Sequence, residues 1–230
     1  GVTSNPSIFE KAIGSSDSYD KKIVELSKNN NNSKDIFENI ATDDIRNAAD
    51  LLDEVFEKNN HMDGFVSLEV DPFLANDFEK TIIEAKRLWE KVDRKNLMIK
   101  IPGTKEGIMA TKQLLEEGIN VNVTLLFSFD SYKKTLEAFV ESKNKNVNSK
   151  SVASFFISRI DTAVDQIIDN NNKLFHKMAI INAYKAYSLF LEIKNSMGDN
   201  FQKLLWASTS VKAKDLEQDY YSINLPFENT

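Results

Sequence analysis

Cysteine is absent from the 230 residues, which excludes disulfides, thiolate catalysis and cysteine-bound zinc or iron–sulfur clusters and fits a reducing compartment. No stretch approaches the roughly 20 consecutive apolar residues that a membrane span needs, and the first residues lack the basic-then-apolar order of a secretion signal. Basic residues are outnumbered, 29 Lys and Arg against 35 Asp and Glu for a net charge of −6, so broad binding along a nucleic-acid backbone is excluded and any phosphate site must be local. Of the two histidines, His61 and His176, one lies beside loop asparagines and the other near a helix start. Neither has metal-ligand spacing, and neither is given a role. The expectation is a soluble, cytoplasmic protein with no membrane and no nucleic-acid partner.

What is present is an alternation. Val- and Ile-rich runs of four to seven residues alternate with amphipathic stretches of ten or more, the pattern of repeated βα units. The predicted strands are 64–70, 97–101, 119–125, 152–156 and 204–208, with a remnant at 1–4 as a sixth and 221–225 leading toward another. The predicted helices are 43–58, 77–92, 105–116, 128–142, 160–169 and 175–194. In 43–58, Ile45, Ala48, Ala49, Leu52, Val55 and Phe56 share one face while Asp44, Arg46, Asp50 and Glu54 face out, so that face is expected to pack on a sheet. The asparagine-rich segments 29–32, 143–150 and 169–173 fall between elements and read as solvated loops rather than domain linkers. The length suits one domain. The alternation predicts an α/β fold built as a single domain, residues 1–230. Polar residues recurring on strand after strand favour a closed (β/α)8 TIM-type barrel over a doubly wound sheet. GVTSNP opens at a strand end and NLPFENT closes on a turn, so the barrel is expected to be clipped at both ends, missing its first strand and its C-terminal end.

In such a barrel the inward side chains near the carboxyl ends of the strands converge on one site. Lys100, flanked by Leu97, Met98, Ile99 and Ile101, is the sharpest candidate. Burial disfavours an ammonium, and a free amine there would attack a carbonyl to form a Schiff base. The competing reading is a lysine that snorkels to water. Glu69, on a strand of Phe65, Val66, Leu68 and Val70, suits proton transfer or structural pairing with Lys100, and the two roles are compatible. Asn122 and Thr124 alternate in phase and so point the same way, although Thr124 alone is also an ordinary strand former. Ser4, Asn5, Ser154, Phe156 and Ser208 complete the strand-end set. Arg159, at a strand-to-helix transition, either holds a phosphate or pairs with Asp161 or Asp165. Trp89 and Trp206 read as packing residues, Trp206 close enough to the site to shape it. Glu84, Lys86, Glu90 and Lys91 read as a solvated helix face.

The stretches GVTSNPSIF, DGFVSLEVDP, NLMIKIPGTKEGI, GINVNVTLLFS, VASFFISRIDTAVD and LLWASTSVK resemble the transaldolase family, the longer bacterial type in particular, over essentially the whole chain. The resemblance implies a class I aldolase mechanism with no metal and no cofactor. Lys100 would take a three-carbon dihydroxyacetone unit from a ketose phosphate, fructose 6-phosphate or sedoheptulose 7-phosphate, and pass it to an aldose phosphate, as in the non-oxidative pentose phosphate pathway. It further implies that Glu69 transfers protons through a water that Thr124 helps to position. Asn5, Asn122 and Ser154 would bind the dihydroxyacetone hydroxyls, Phe156 would shape the wall, and Arg159 would bind phosphate. Ser208 joins the substrate-binding set, and beyond it WASTSVK offers Ser210 and, as the weaker phosphate candidate, Lys212. The family's acid–base aspartate belongs to a strand before GVTSNP. That leaves as alternatives a noncatalytic or impaired fragment that binds sugar phosphates, or a related aldolase using free dihydroxyacetone. The oligomeric state, monomer or homodimer, stays open.

Overall fold

A computed structural model describes residues 1–28, 32–145 and 148–228. The asparagines 29–31 and residues 146, 147, 229 and 230, which fall in segments read above as loops or as a closing turn, lie outside the described residues. The chain forms two compact units, Gly1–Leu74 with Glu79–Lys100, and Ala75–Phe78 with Ile101–Thr230.

In the first unit, strands β1 (Val2–Thr3), β2 (Val66–Glu69) and β3 (Leu97–Pro102, which leaves the unit after Lys100) are paired in parallel. Helices α1 (Pro6–Gly14), α2 (Asp20–Ser27), α3 (Ser33–Lys58) and α4 (Phe78–Val92) connect them. The pattern predicts no element between residues 5 and 42, yet α1, α2 and the first ten residues of α3 stand there. Their start signals are local. Asn5 caps α1 with Pro6 in its first turn, and the side chain of Asn32 accepts from the backbone N–H of Asp35 at 3.0 Å to cap α3, satisfying donors that a helix start leaves open. On α3, Ile40, Ile45, Ala49 and Phe56 are buried, whereas Val55 is 39% exposed, so the buried stripe is narrower than the predicted face. Glu84 and Lys91 also depart from expectation. Glu38 of α3 receives two hydrogen bonds from Arg87 of α4, at 2.6 and 2.7 Å, and one from Lys91 at 2.7 Å. Arg87 holds Glu84 as well, so much of that supposedly free face is an ion network joining two helices.

In the second unit, β4 (Val121–Leu126), β5 (Ser151–Phe156) and β6 (Lys203–Ala207) run parallel. Helices α5 (Lys105–Glu116), α6 (Phe129–Ser142), α7 (Ser158–Val164) and α8 (Met178–Met197) alternate with them. Thr104 and Ser128 cap α5 and α6 by accepting from the backbone N–H groups of Gly107 and Ser131. Leu114, Leu115, Tyr132, Phe139, Phe155, Ala183, Ala186 and Phe190 form the core of the unit. The described ends of segment 143–150 are not simply solvated. Lys143 donates to the carbonyl of Ser149 and lies over the Phe139 ring, and Ser149 is buried.

Two predicted segments take a more definite form. Residues 221–225 are expected to lead toward a further strand; the first four fall in a one-turn helix, α9 (Tyr220–Asn224), and Leu225 is extended, while Tyr221 turns into the core, 3% exposed, and donates to Asp161 at 2.9 Å. Helix α7 stops at Val164 rather than continuing to 169; its C-cap Asp165 keeps helical backbone angles and an N–H bond to the Asp161 carbonyl, while its side chain binds the N–H and ring of His176. Trp89 is half-buried. Trp206 packs edge-on against Phe155 and donates to the carbonyl of Pro226. Among the described residues, no helix is long and apolar enough to cross a membrane.

Candidate active site

Parallel pairing of β2 with β3 sets Glu69 opposite Lys100, and neighbours in register on parallel strands project to the same face. Every residue of β3 is buried, as an all-parallel interior strand requires. Lys100 itself is 7% exposed. Its Nζ does not snorkel to water. It lies 3.2 Å from Glu69 Oε2 and donates to the carbonyl of Ser4 at 3.1 Å. Ser4 is fixed in turn, since both its N–H and its hydroxyl donate to the Ser67 carbonyl. An amine in an apolar strand, a carboxylate beside it and a carbonyl holding it in place are the parts of a nucleophile with an adjacent proton carrier. Asn5, one residue further on, uses its side-chain oxygen to accept from Ile8 N–H at 2.9 Å. Its amide nitrogen remains as the group that can donate to a ligand.

The second unit presents its own strand-end set. Asn122, Thr124 and Ser154 are buried, and the Ser154 hydroxyl donates to Asn122 Oδ1 at 2.7 Å. The pairing of β4 with β5 slips between Val123 and Leu126. Leu125, at φ 60° and 40% exposed, is the extra residue of a bulge that ends the regular alternation just after Thr124. Past β5, the guanidinium of Arg159 sits 5.1 Å from the centre of the Phe156 ring. Among the described residues it makes no ion pair, with Asp161 and Asp165 engaged elsewhere. Ser158 donates from its N–H and its hydroxyl to the Ser208 carbonyl, at 3.0 and 2.6 Å, holding Ser208 at φ 56°. Lys212 is exposed and donates to Ser210 Oγ at 2.7 Å.

One cluster has no counterpart in the sequence reading. His176 Nδ1 lies 2.7 Å from Asp165 Oδ2, and Nε2 lies 3.1 Å from Asp215 Oδ2. His176 and Asp165, with Asp161, Thr162, Lys212, Ala213 and Tyr221, line a cleft of about 140 Å³. Burial works against the charge on His176, but the hydrogen bonds to Asp215 and Asp165 outweigh it and raise its pKa above the ordinary value. Asp161, buried and accepting from Ala179 N–H and Tyr221, is pushed up by burial. The partners of His176 lie 11 and 39 residues away, beyond the reach of any local spacing pattern.

Parallel βα repeats with a buried lysine and a carboxylate at adjacent strand ends define a class, the barrel-type α/β enzymes whose chemistry sits at the carboxyl ends of the strands. The chain belongs to the Transaldolase/Fructose-6-phosphate aldolase family, whose profile matches residues 1–230. Its fold class is accordingly a partial (β/α) barrel of the TIM type. Among its relatives, a protein of Saccharopolyspora erythraea named Transaldolase is 41% identical over 248 residues, spanning all of this chain and 67% of that protein. Proteins of the same name from Mycolicibacterium smegmatis and Thermobifida fusca are 40% and 42% identical, covering 100% and 98% of this chain and 67% of each relative.

Proposed function

We propose that this chain is a transaldolase: a transferase that carries a dihydroxyacetone unit from a ketose phosphate to an aldose phosphate on Lys100. The observation that carries the reading is the geometry at that lysine, buried on β3 with Nζ 3.2 Å from Glu69 Oε2 and 3.1 Å from the Ser4 carbonyl. It is supported by membership of the family and by the name its relatives bear. In the proposed cycle the amine of Lys100 attacks the ketose carbonyl to give a carbinolamine. Glu69, through a water that Thr124 helps to place, delivers the proton that lets hydroxide leave as water. The resulting iminium accepts the electron pair of the breaking carbon–carbon bond while the substrate hydroxyl beside that bond gives its proton to a carboxylate base, the role the family's acid–base aspartate fills, so the aldose phosphate departs and an enamine stays on Lys100. Addition of the enamine to a second aldose phosphate reverses these steps.

Asn5, Asn122 and Ser154 are assigned the hydroxyls of the three-carbon unit, Phe156 the apolar wall, Ser208 a substrate contact, and Arg159 and Lys212 the phosphate. The cytoplasm, the non-oxidative pentose phosphate pathway and sugar phosphates as the only partners follow from the same reading, with the protein a monomer or a homodimer. The test is to incubate the protein with fructose 6-phosphate, reduce with borohydride and map the modified residue by mass spectrometry. A reduced dihydroxyacetone adduct on Lys100, lost in Lys100→Met, is expected. A folded protein that yields no adduct sinks the proposal.

A further inference from the structure

The cleft around His176 is not used by the chemistry proposed for Lys100, yet it joins three separate parts of the second unit. Asp165 closes α7, His176 stands two residues before α8, and Asp215 lies in the segment that follows β6. That segment also carries Ser208, Ser210 and Lys212. We propose that His176 is a positioning residue for phosphate binding, its imidazolium strapping the segment after β6 to the junction of α7 and α8. The proposal rests on the phosphate role given to Lys212.

Both ring nitrogens face a carboxylate oxygen, and only the protonated ring can donate from both. A neutral ring keeps one donor and turns a lone pair toward the other carboxylate, so one of the two bonds must fail. Asp165 is the firmer partner: its side chain is 12% exposed and it also accepts from the His176 N–H at 3.1 Å, whereas the Asp215 side chain is 69% exposed. The bond that gives way is therefore the one to Asp215, and with it the hold on Lys212. The other groups around the ring bear on this equilibrium. Asp161 of α7 and Lys212 line the same cleft. Tyr220 of α9 donates to the His176 carbonyl at 2.7 Å, Tyr221 is held by Asp161, and Lys177 adjoins the histidine in the chain. The two bonded aspartates favour the charged ring over the neutral one, in agreement with its raised pKa.

The dissociation constant for fructose 6-phosphate, measured by calorimetry at about pH 7 and about pH 9, tests the strap. Across that range a phosphate monoester is already the dianion, its second pKa being about 6. Binding by the unaltered chain is expected to weaken about threefold, the scale of one exposed charged contact. Asp215→Asn, at an exposed position where folding is not at stake, should bind at the weaker level at both pH values, as should His176→Gln if it folds. Asp215→Glu should restore the pH dependence. An unaltered chain with no pH dependence, or an Asp215→Asn variant that keeps both the affinity and the slope, overturns the proposal. Lys212→Met separates the two layers. If it binds as tightly as the unaltered chain, the phosphate role of Lys212 fails. If it weakens binding while Asp215→Asn does not, the strap alone fails.

Discussion

At Lys100 the ammonium has two partners inside hydrogen-bonding distance, one a charge and one a carbonyl. Glu69→Gln keeps the shape and one acceptor but removes the charge and the ability to carry a proton. Borohydride trapping with fructose 6-phosphate should then slow about 100-fold, the ordinary worth of a positioned acid–base group, with the far-ultraviolet circular dichroism unchanged. A trapping rate within about twofold of the unaltered chain would remove Glu69 from the chemistry. Ser154→Ala is a milder change, deleting one donor to Asn122 in a buried site. It should cost about 1 kcal/mol in urea unfolding, and an unchanged unfolding midpoint would contradict the bond. Lys100 was legible in sequence because four apolar neighbours made a charge conspicuous. Its contact with Glu69 needed the strand register as well, since the two residues lie 31 positions apart and only pairing of β2 with β3 brings them together. His176 offered no comparable contrast, standing between Phe175 and Lys177 just before a helix, and its partners are supplied by tertiary structure alone.

Between α3 and β2 the chain reverses through Gly64, and the geometry there tolerates no side chain. Its φ is +80°, and a β-carbon would stand 2.6 Å from Phe56 N, 2.8 Å from Phe56 Cα and 2.9 Å from the Leu52 carbonyl oxygen. All three are backbone atoms, so relief requires moving α3 against the strand. Asn96 secures the same junction, donating to the carbonyls of Ala49 and Gly64 at 2.9 and 3.0 Å. Gly64→Ala is therefore expected to lose about 3 kcal/mol, combining backbone strain with displaced packing, and a loss below about 1 kcal/mol by urea titration would show the contact to be soft. The elements the pattern located best, such as α5 at 105–116 and β3 near 97–101, combine strong apolar periodicity with clear ends. Those it missed are short or dense in acids and amides. Pro6–Gly14 and Asp20–Ser27 are only nine and eight residues long and bury little surface, so their apolar residues span too few turns to announce a helix; the Asn5 cap of the first is visible only once the helix is known, and the second has no side-chain cap. Residues 221–224 carried no helix signal, because alternating apolar residues suit a short strand and a single helical turn about equally well.

The charges of the chain, sparse in function by the sequence reading, turn out to set its response to pH from both sides. Glu38 is held down to about 2, from 4.5, first by the hydrogen bonds of Arg87 and then by Lys91, against the opposing effect of burial. A carboxylate whose folded pKa is depressed contributes stability that is complete above its unfolded value and is lost as pH falls through the folded one. The Arg87–Glu38–Lys91 network therefore weakens between about pH 4.5 and about pH 2. Asp71, lowered by its bond to Lys34, fails in the same direction. His176 has the opposite sign. Its folded pKa is raised, so what it contributes is present below the unfolded value and disappears as pH rises through the folded one. The stability curve should therefore fall at both ends, and the two ends should respond to different substitutions. Glu38→Gln should make the acid limb of the melting curve shallower and leave the alkaline limb alone. Its cost near neutral pH is on the order of 1 kcal/mol, since the Glu38 side chain is 22% exposed and solvent screens part of the attraction. Asp215→Asn should flatten the alkaline limb far more than the acid one, to which Asp215, lowered by its bond to His176, adds only an exposed carboxylate's small share. Thermal melts from about pH 3 to about pH 9 on the three proteins separate these expectations, the span being that over which carboxylates and histidine titrate. An acid limb unchanged in Glu38→Gln would mean that the network joining α3 to α4 holds too little of the stability to matter, whatever its geometry.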